Sequence, residues 1–362
     1  MISQIHFKVL LVVICTLCIS CNNETEEDSV ISESDFQETE HLESIAPDIE
    51  NADEFFDPRF IDVSDSLLIV LDNTNSDIFK FYRLDDFSLV GTFGNQGEGP
   101  GEISFPAFIN HGGFKADEEF EFLDWGRKTI SRYSLDQVLN NDQAVPIFEY
   151  MLPPDLIRIQ RGMFIENGKY IIGLAGMREG KLAKVDTKTD SIVAIAPFTP
   201  FLEEAINHRS VGLIYSGEMT ANEEKQRILV TTRRFKILEI FDYDLNLIRD
   251  TRFEANPGTG SANEIVNTTE ETLYHYNDVT YTDSLIYTLH EGNTSGNYIK
   301  GESLNDSEIH VFDWDGNPVK KYKVDIVLSQ IAIDKNNNRI IGLPTPFSSK
   351  SVSDSPLVYF EL

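Results

Sequence analysis

Short apolar or alternating runs, separated by turns rich in Asp, Asn and Gly, fill the chain from Phe60 to Leu362. Runs of this length between turn residues predict β-strands, and long helical periodicity is scarce. The runs also group. A first group holds Phe60–Val63, Leu67–Leu71, Ile78–Leu84 and Leu89–Phe93. A second holds Glu119–Leu123, Ile130–Leu135 and Ile147–Met151, and a third Met163–Glu166, Tyr170–Leu174, Lys181–Val185 and Ser191–Ile195. The fourth is Leu213–Ser216, Arg227–Thr231, Ile237–Tyr243 and Leu247–Phe253. The fifth is Val279–Thr282, Leu285–Leu289, Glu308–Trp314 and Val319–Val324, and the last Gln330–Ile333, Arg339–Leu343 and Leu357–Leu362.

Within a group the third strand ends in a turn such as Asp242-Tyr243-Asp244 or Asp313-Trp314-Asp315-Gly316-Asn317. Asp and Asn bond their own backbone there, and Gly accepts positive φ. Groups recur about every 45 to 55 residues, the period of propeller blades. The expected fold is all-β: a six-bladed β-propeller of four-stranded antiparallel blades. The last group supplies only three strands, so a strand from Leu42–Ile49 is expected to complete it and close the ring. A count of seven follows instead if 254–278 holds further strands.

The N-terminal end has a different pattern. His6 and Lys8 precede an apolar run, Val9 to Ile19, then Ser20-Cys21 and the acidic cluster Glu24-Thr25-Glu26-Glu27-Asp28. The run is too short to span a bilayer, and reads as a secretion signal. It resembles a bacterial lipoprotein signal with Cys21 as the lipidated residue, although Cys18 stands where Leu is usual. The acidic cluster resembles the surface-export signal of Bacteroidetes lipoproteins. The expected organisation is therefore a signal peptide over 1–20, an acidic flexible tether over 21–41 and the propeller over 42–362. The expected location is the cell envelope, at the outer membrane and surface-exposed, with the membrane a partner through the lipid anchor.

Composition narrows the partners. The net charge is −30, and loss of residues 1–20 removes Lys8 but no acid. Such a charge argues against nucleic acid and against flat binding to anionic lipid. All three cysteines lie at 15, 18 and 21, so no disulfide can hold the propeller together, and core burial must.

One segment carries a more specific pattern: Phe93-Gly94-Asn95-Gln96-Gly97-Glu98-Gly99-Pro100-Gly101-Glu102-Ile103-Ser104-Phe105-Pro106. It resembles the inter-blade signature of NHL-type propellers. With the lipoprotein signal, the chain resembles the TolB-like six-bladed propeller lipoproteins of Bacteroidetes. That resemblance implies the fold and an envelope location, and no catalytic residue. The glycines lack the Lys-Ser/Thr of a phosphate loop and read as a turn between blades.

No His pair has metal spacing, no HExxH or G-x-S-x-G occurs, and neither metal nor cofactor is implied by any motif. Arginines give the more interesting pattern. In a propeller, the loops joining second to third strands and the crossings between blades share one face. These loops hold Trp125, Arg127, Arg178, Arg233 and Arg234, and the crossings hold Arg158, Arg161, Arg209 and His275. His290 ends a second strand at the same face. Arginine pairs bidentately with carboxylates and stacks on aromatic rings. The expected function is binding of an anionic small molecule, glycan or peptide, or of an envelope protein, at this mouth. The alternative is a propeller hydrolase, lactonase or lyase acting on an anionic sugar or peptide, for which Asp72, Asp124 and Glu179 are the best-placed acids. The loops Glu291–Asn305 and Pro344–Pro356, rich in Gly, Ser and Asn, are expected to overhang the mouth as mobile lids.

Overall fold

Both faces of most second strands are apolar, as in Leu67-Leu68-Ile69-Val70-Leu71, and such strands must be covered on two sides. A computed structural model shows how. It describes residues 30–51, 55–64, 66–108, 119–140, 144–156, 159–166, 168–174, 180–198, 215, 217–253, 269–300, 304–345 and 355–362.

Two short strands come first, β1 (Val30–Ile31) and β2 (Glu38–Leu42). Blade 1 is β3 (Pro58–Val63), β4 (Leu67–Asp72), β5 (Ser76–Arg83) and β6 (Leu89–Asn95). Blade 2 is β7 (Pro106–Phe108), β8 (Glu119–Asp124), β9 (Thr129–Ser134) and β10 (Phe148–Met151), with a short helix α1 (Leu135–Asn140) before its last strand. Blade 3 is β11 (Ile159–Glu166), β12 (Lys169–Leu174), β13 (Leu182–Asp186) and β14 (Ser191–Ala196). Blade 4 is β15 (Met219–Asn222), β16 (Arg227–Thr231), β17 (Ile237–Asp242) and β18 (Leu247–Phe253). Blade 5 is β19 (Tyr276–Tyr281), β20 (Leu285–His290), then helix α2 (Ser295–Lys300), β21 (Glu308–Asp313) and β22 (Pro318–Val324). Blade 6 is β23 (Leu328–Asp334), β24 (Arg339–Pro344) and β25 (Val358–Glu361). Consecutive strands within each blade pair antiparallel.

The innermost strands meet in the cyclic order β3, β7, β11, β15, β19, β23 and back to β3, so six blades close a ring. Buried apolar side chains form one cluster in every seam. Leu71, Phe79 and Phe81 meet Phe120 and Phe122 between blades 1 and 2. Val324 and Ile309 meet Ile331 and Phe360 between blades 5 and 6. Across the seam of blades 3 and 4, the buried Lys181 ammonium pairs with the buried Glu239 carboxylate.

The outer turns follow local chemistry. Asp242 accepts the amides of Asp244 (2.9 Å) and Asn246 (2.8 Å), and Asp313 accepts those of Asp315 and Asn317 (2.9 Å each). The glycine-rich segment carries the chain from blade 1 to blade 2, as expected. Gly94 and Gly101 have φ of 93° and 79°, and Gly97 N donates to Ile103 O at 2.9 Å.

The N-terminal segment departs from expectation in two ways. Residues 31–41, expected as part of a flexible tether over 21–41, dock on the ring, and residues 21–29 lie outside the described residues. β1 lies beside β18, and β2 runs parallel to β22, each as a fifth strand. Phe36, between them, is buried against Phe253 and Phe312. Closure of blade 6 comes from a single residue: Ile45 exchanges both backbone hydrogen bonds with Tyr359 at 2.9 Å. The next bonding position is Pro47, which has no amide to extend the ladder.

Candidate functional site

Four innermost strands carry the same irregularity at the same end. The pairing shifts by one residue between Pro58 and Phe60, Ile159 and Arg161, Tyr276 and Asp278, and Leu328 and Gln330. A bulge of this kind re-aims side chains, and bulges concentrate beside binding sites. Three of the four flank one cavity at the mouth of the central channel. Its volume is about 350 Å3. Phe60 comes from blade 1, Ile159 and Arg161 from blade 3, and Tyr276 and Asn277 from blade 5. Trp125 of blade 2 and Gly217, Glu218 and Arg233 of blade 4 complete the lining.

Arg161 lies on β11 itself rather than in the crossing before it. Its guanidinium is 5% exposed, donates from Nε to Glu218 Oε2 at 2.6 Å, and sits 4.5 Å from the centre of the Phe60 ring. It thus joins blades 3, 4 and 1. Arg233 donates from Nη2 to Glu291 Oε1 at 2.9 Å and stacks over Tyr274 at 4.4 Å. Burial opposes the Arg233 charge, but the Glu291 carboxylate outweighs it and holds the pKa above the usual arginine value. Among the described residues, three donors on the lining are nevertheless buried without an acceptor: Trp125 Nε1, Arg161 Nη1 and Arg233 Nε. A buried unpaired donor costs about 1–3 kcal/mol, so such groups are seldom left without a partner. Next in sequence to the lining residue Asn277, the Asp278 carboxyl is fully buried and accepts the Ile331 amide at 2.7 Å. Burial, reinforced by Glu218, raises its pKa well above the usual carboxylate range. The cavity therefore presents two arginines, each already matched by one glutamate.

The other predicted residues go elsewhere. Arg127 donates from Nη2 to Gly99 O at 2.7 Å and braces the glycine-rich crossing. Arg234 lies over the Tyr274 ring, at 5.3 Å, and does not line the cavity. Arg158, Arg178, Arg209, Glu179 and Cys21 lie outside the described residues.

His275 and His290 do not line the cavity; with His310 they form a cluster in the seam of blades 4 and 5, in which His275 and His310 are buried and His290 is half-buried. His290 and His310 stack with centroids 4.8 Å apart and planes 14° apart, and His275 Nδ1 is 3.4 Å from His290 Nε2. His310 is satisfied as the neutral Nε2–H tautomer: Tyr276 O–H donates to Nδ1 (3.3 Å), and Nε2–H donates to Glu308 (3.1 Å). Burial first, and the Lys236 charge among nearby groups, push His275 down to about 4 and His290 and His310 well below their usual value. Donor atoms of His290, Glu308 and His310 lie within 4.8 Å of one another, a set able to hold a metal that the spacing in sequence does not reveal. Near-parallel rings do not converge their in-plane lone pairs on one point, however, and Lys236 adds positive charge, so this arrangement suits packing better than a cation.

Of the three acids expected to serve a reaction, the two described, Asp72 and Asp124, are structural. Asp72 and Asp124 occupy equivalent positions at the ends of β4 and β8. Asp72 accepts the amides of Phe56 (3.0 Å) and Asp57 (2.6 Å), and the Lys80 ammonium (2.7 Å). Asp124 accepts those of Ser104 (2.8 Å), Phe105 (3.0 Å) and Gly126 (2.9 Å). Each ties an incoming crossing to its blade. The loop expected as a lid at Glu291–Asn305 is instead anchored where described: it holds α2, and the buried Asn293 donates to Glu291 O (3.0 Å) and Asn305 O (3.1 Å). Most of the other expected lid, residues 346–354, lies outside the described residues.

Residues 35–336 match the family described as TolB-like 6-blade propeller-like. No curated protein matches the sequence. Among solved structures, a DUF4221 family member from Bacteroides vulgatus ATCC 8482 superposes with a TM-score of 0.62 at 12% identity, covering 88% of this chain and 97% of its own. A candidate exported protein of Bacteroides fragilis NCTC 9343 gives 0.56 at 12% identity, covering 89% and 98%. Identity this low speaks for the fold alone. The match over residues 35–336, on a closed ring of six blades, places the chain in the TolB-like six-blade propeller family.

Proposed function

We propose that this is an envelope-anchored binding protein whose channel mouth takes a ligand bearing a carboxylate. The observation that carries the reading is the set of three buried donors without acceptors, Trp125 Nε1, Arg161 Nη1 and Arg233 Nε, on residues around one cavity. Their chemistry calls for ligand oxygens. Because Glu218 and Glu291 already match the two arginines, a monoanion such as a carboxylate fits better than a multiply charged phosphate. Binding rather than turnover is favoured because Asp72 and Asp124 are committed to backbone amides.

The test is thermal unfolding of the purified protein with glucuronate, lactate, glucose and inorganic phosphate. A ligand that binds only the native state raises Tm by mass action. The carboxylates are expected to raise Tm and glucose is not. Arg161→Gln should abolish the carboxylate response, and Arg234→Gln should keep it. A response that survives Arg161→Gln rules the reading out.

The anchoring part of the proposal rests on the apolar run ending at Ser20-Cys21, and on the exported character ascribed to the Bacteroides fragilis neighbour. Labelled palmitate is expected on the wild-type chain in its native host and absent from Cys21→Ser. Equal labelling of both would reject Cys21 as the anchor.

A further inference from the structure

A second, apolar cavity of about 180 Å3 lies beside the first and shares two walls with it, Phe60 and Trp125. Leu71, Ile78, Phe105 and Pro106 supply its remaining apolar lining. By size it suits one large side chain, since an apolar cavity of about 150 Å3 already holds a benzene ring. Its rim is unusual for a soluble surface. Phe105, which lines the cavity, is 61% exposed, and Phe56, two residues before β3, is 78% exposed. Neither is loosely placed: the amide of Phe105 is held by Asp124 and that of Phe56 by Asp72. At two successive crossings, the Asp that ends the second strand thus holds the backbone amide of an exposed Phe, though one position apart in register. Exposed, rigidly presented apolar groups beside unpaired donors mark a recognition surface.

We infer that the two cavities form one groove for the C-terminal end of a peptide whose last side chain is large and apolar. The inference rests on the carboxylate reading above and adds the class of ligand. The terminal carboxylate accepts from Arg161, Arg233 and Trp125, and the last side chain enters the apolar cavity past Phe60 and Phe105. A peptide is favoured over a simple fatty acid because the carboxylate cavity also offers an acceptor for an amide N–H group. Asn277 supplies it: the residue donates from Nδ2 to Ser329 O (3.0 Å), and its side-chain oxygen is an acceptor at the cavity lining. Capture of a free chain end by clustered donors, with a pocket reading the adjacent side chain, is a known way to combine affinity with selectivity.

The experiment measures binding to the purified full chain by calorimetry, using four probes. These are the peptide Gly-Ser-Gly-Ser-Ala-Phe with a free carboxylate, the same peptide as its C-terminal amide, the free-acid peptide ending in Gly instead of Phe, and decanoate. The Phe acid is expected to bind about tenfold or more tightly than the amide and than the Gly acid. Phe105→Ala should shrink the Phe-over-Gly preference while keeping acid over amide. Arg161→Gln should do the reverse, so each variant has its own readout even where affinity drops. Equal affinity for the Phe and Gly acids, with the amide weaker, overturns the peptide inference and leaves the carboxylate reading standing. Equal affinity for acid and amide overturns both. Decanoate binding more tightly than the Phe acid, or no binding of either free-acid peptide, overturns the peptide inference alone.

Discussion

Asp72→Ala is expected to destabilise the protein by about 3–5 kcal/mol, the usual cost of removing one partner from a buried ion pair. The Asp72 carboxylate is fully buried and receives the Lys80 ammonium at 2.7 Å. Removing it leaves a cation that is 5% exposed, with the Phe55 ring 4.6 Å away. The amides of Phe56 and Asp57 lose their acceptor as well. Asp72→Ala combined with Lys80→Met should recover most of the loss, because the desolvated charge is then gone. Urea unfolding midpoints of the three proteins measure this. An Asp72→Ala protein as stable as wild type would free Asp72 for a role in chemistry and revive the enzyme reading.

The second large effect is loss of stability in acid. His275, His290 and His310 have pKa values depressed by burial in the folded state, whereas the unfolded chain titrates near the ordinary value. The unfolded state therefore takes up protons first as pH falls. The stability due to these groups is fully present above about pH 6.5 and is lost as pH falls toward the folded values. For His275, held at about 4, the loss amounts to about 3 kcal/mol. The charged groups around the cluster are Glu33, Lys236, Glu308 and Lys321. The raised Asp278 works with the opposite sign, favouring the folded state as it is protonated, and tempers the effect. Unfolding midpoints should fall between pH 7 and 4.5, and less steeply in His275→Gln. A wild-type midpoint that is flat over this range would show that the histidines are not held neutral.

The blades were legible because their causes are local. Burial on both faces makes a second strand such as Leu67–Asp72 continuously apolar, and Asp-initiated turns such as Asp313 to Asn317 carry their own hydrogen bonds. The first strand of blade 4 was less legible. The run expected to form it, Leu213–Ser216, lies outside the described residues apart from Tyr215; the strand described is Met219-Thr220-Ala221-Asn222, which owes its conformation to pairing with β16. That shift hid Glu218 as a partner of Arg161. Trp125 and Arg233 were readable, because they sit in loops fixed by the strands on either side. Phe60, Ile159 and Asn277 were not, since bulges and ring closure bring them together and neither leaves a pattern in neighbouring residues. His310 was missed for a similar reason. It lies in mid-strand, and meets His290 only because Thr288 and His310 are paired two positions away.

The clasp at the N-terminal side has a consequence for the order of events during synthesis. Residues 30–45 leave the ribosome before any blade exists, yet their partners are remote in sequence. Glu33 pairs with Lys321, 288 residues on, and Ser44 bonds Asp325, 281 residues on. Contacts of such range form late, after the loops between them have been closed. Until then the outer edges of blades 4, 5 and 6 stay open to other chains. The earliest residues made are thus the last to be satisfied, and the interval in between is when crowding by unfinished copies does most harm.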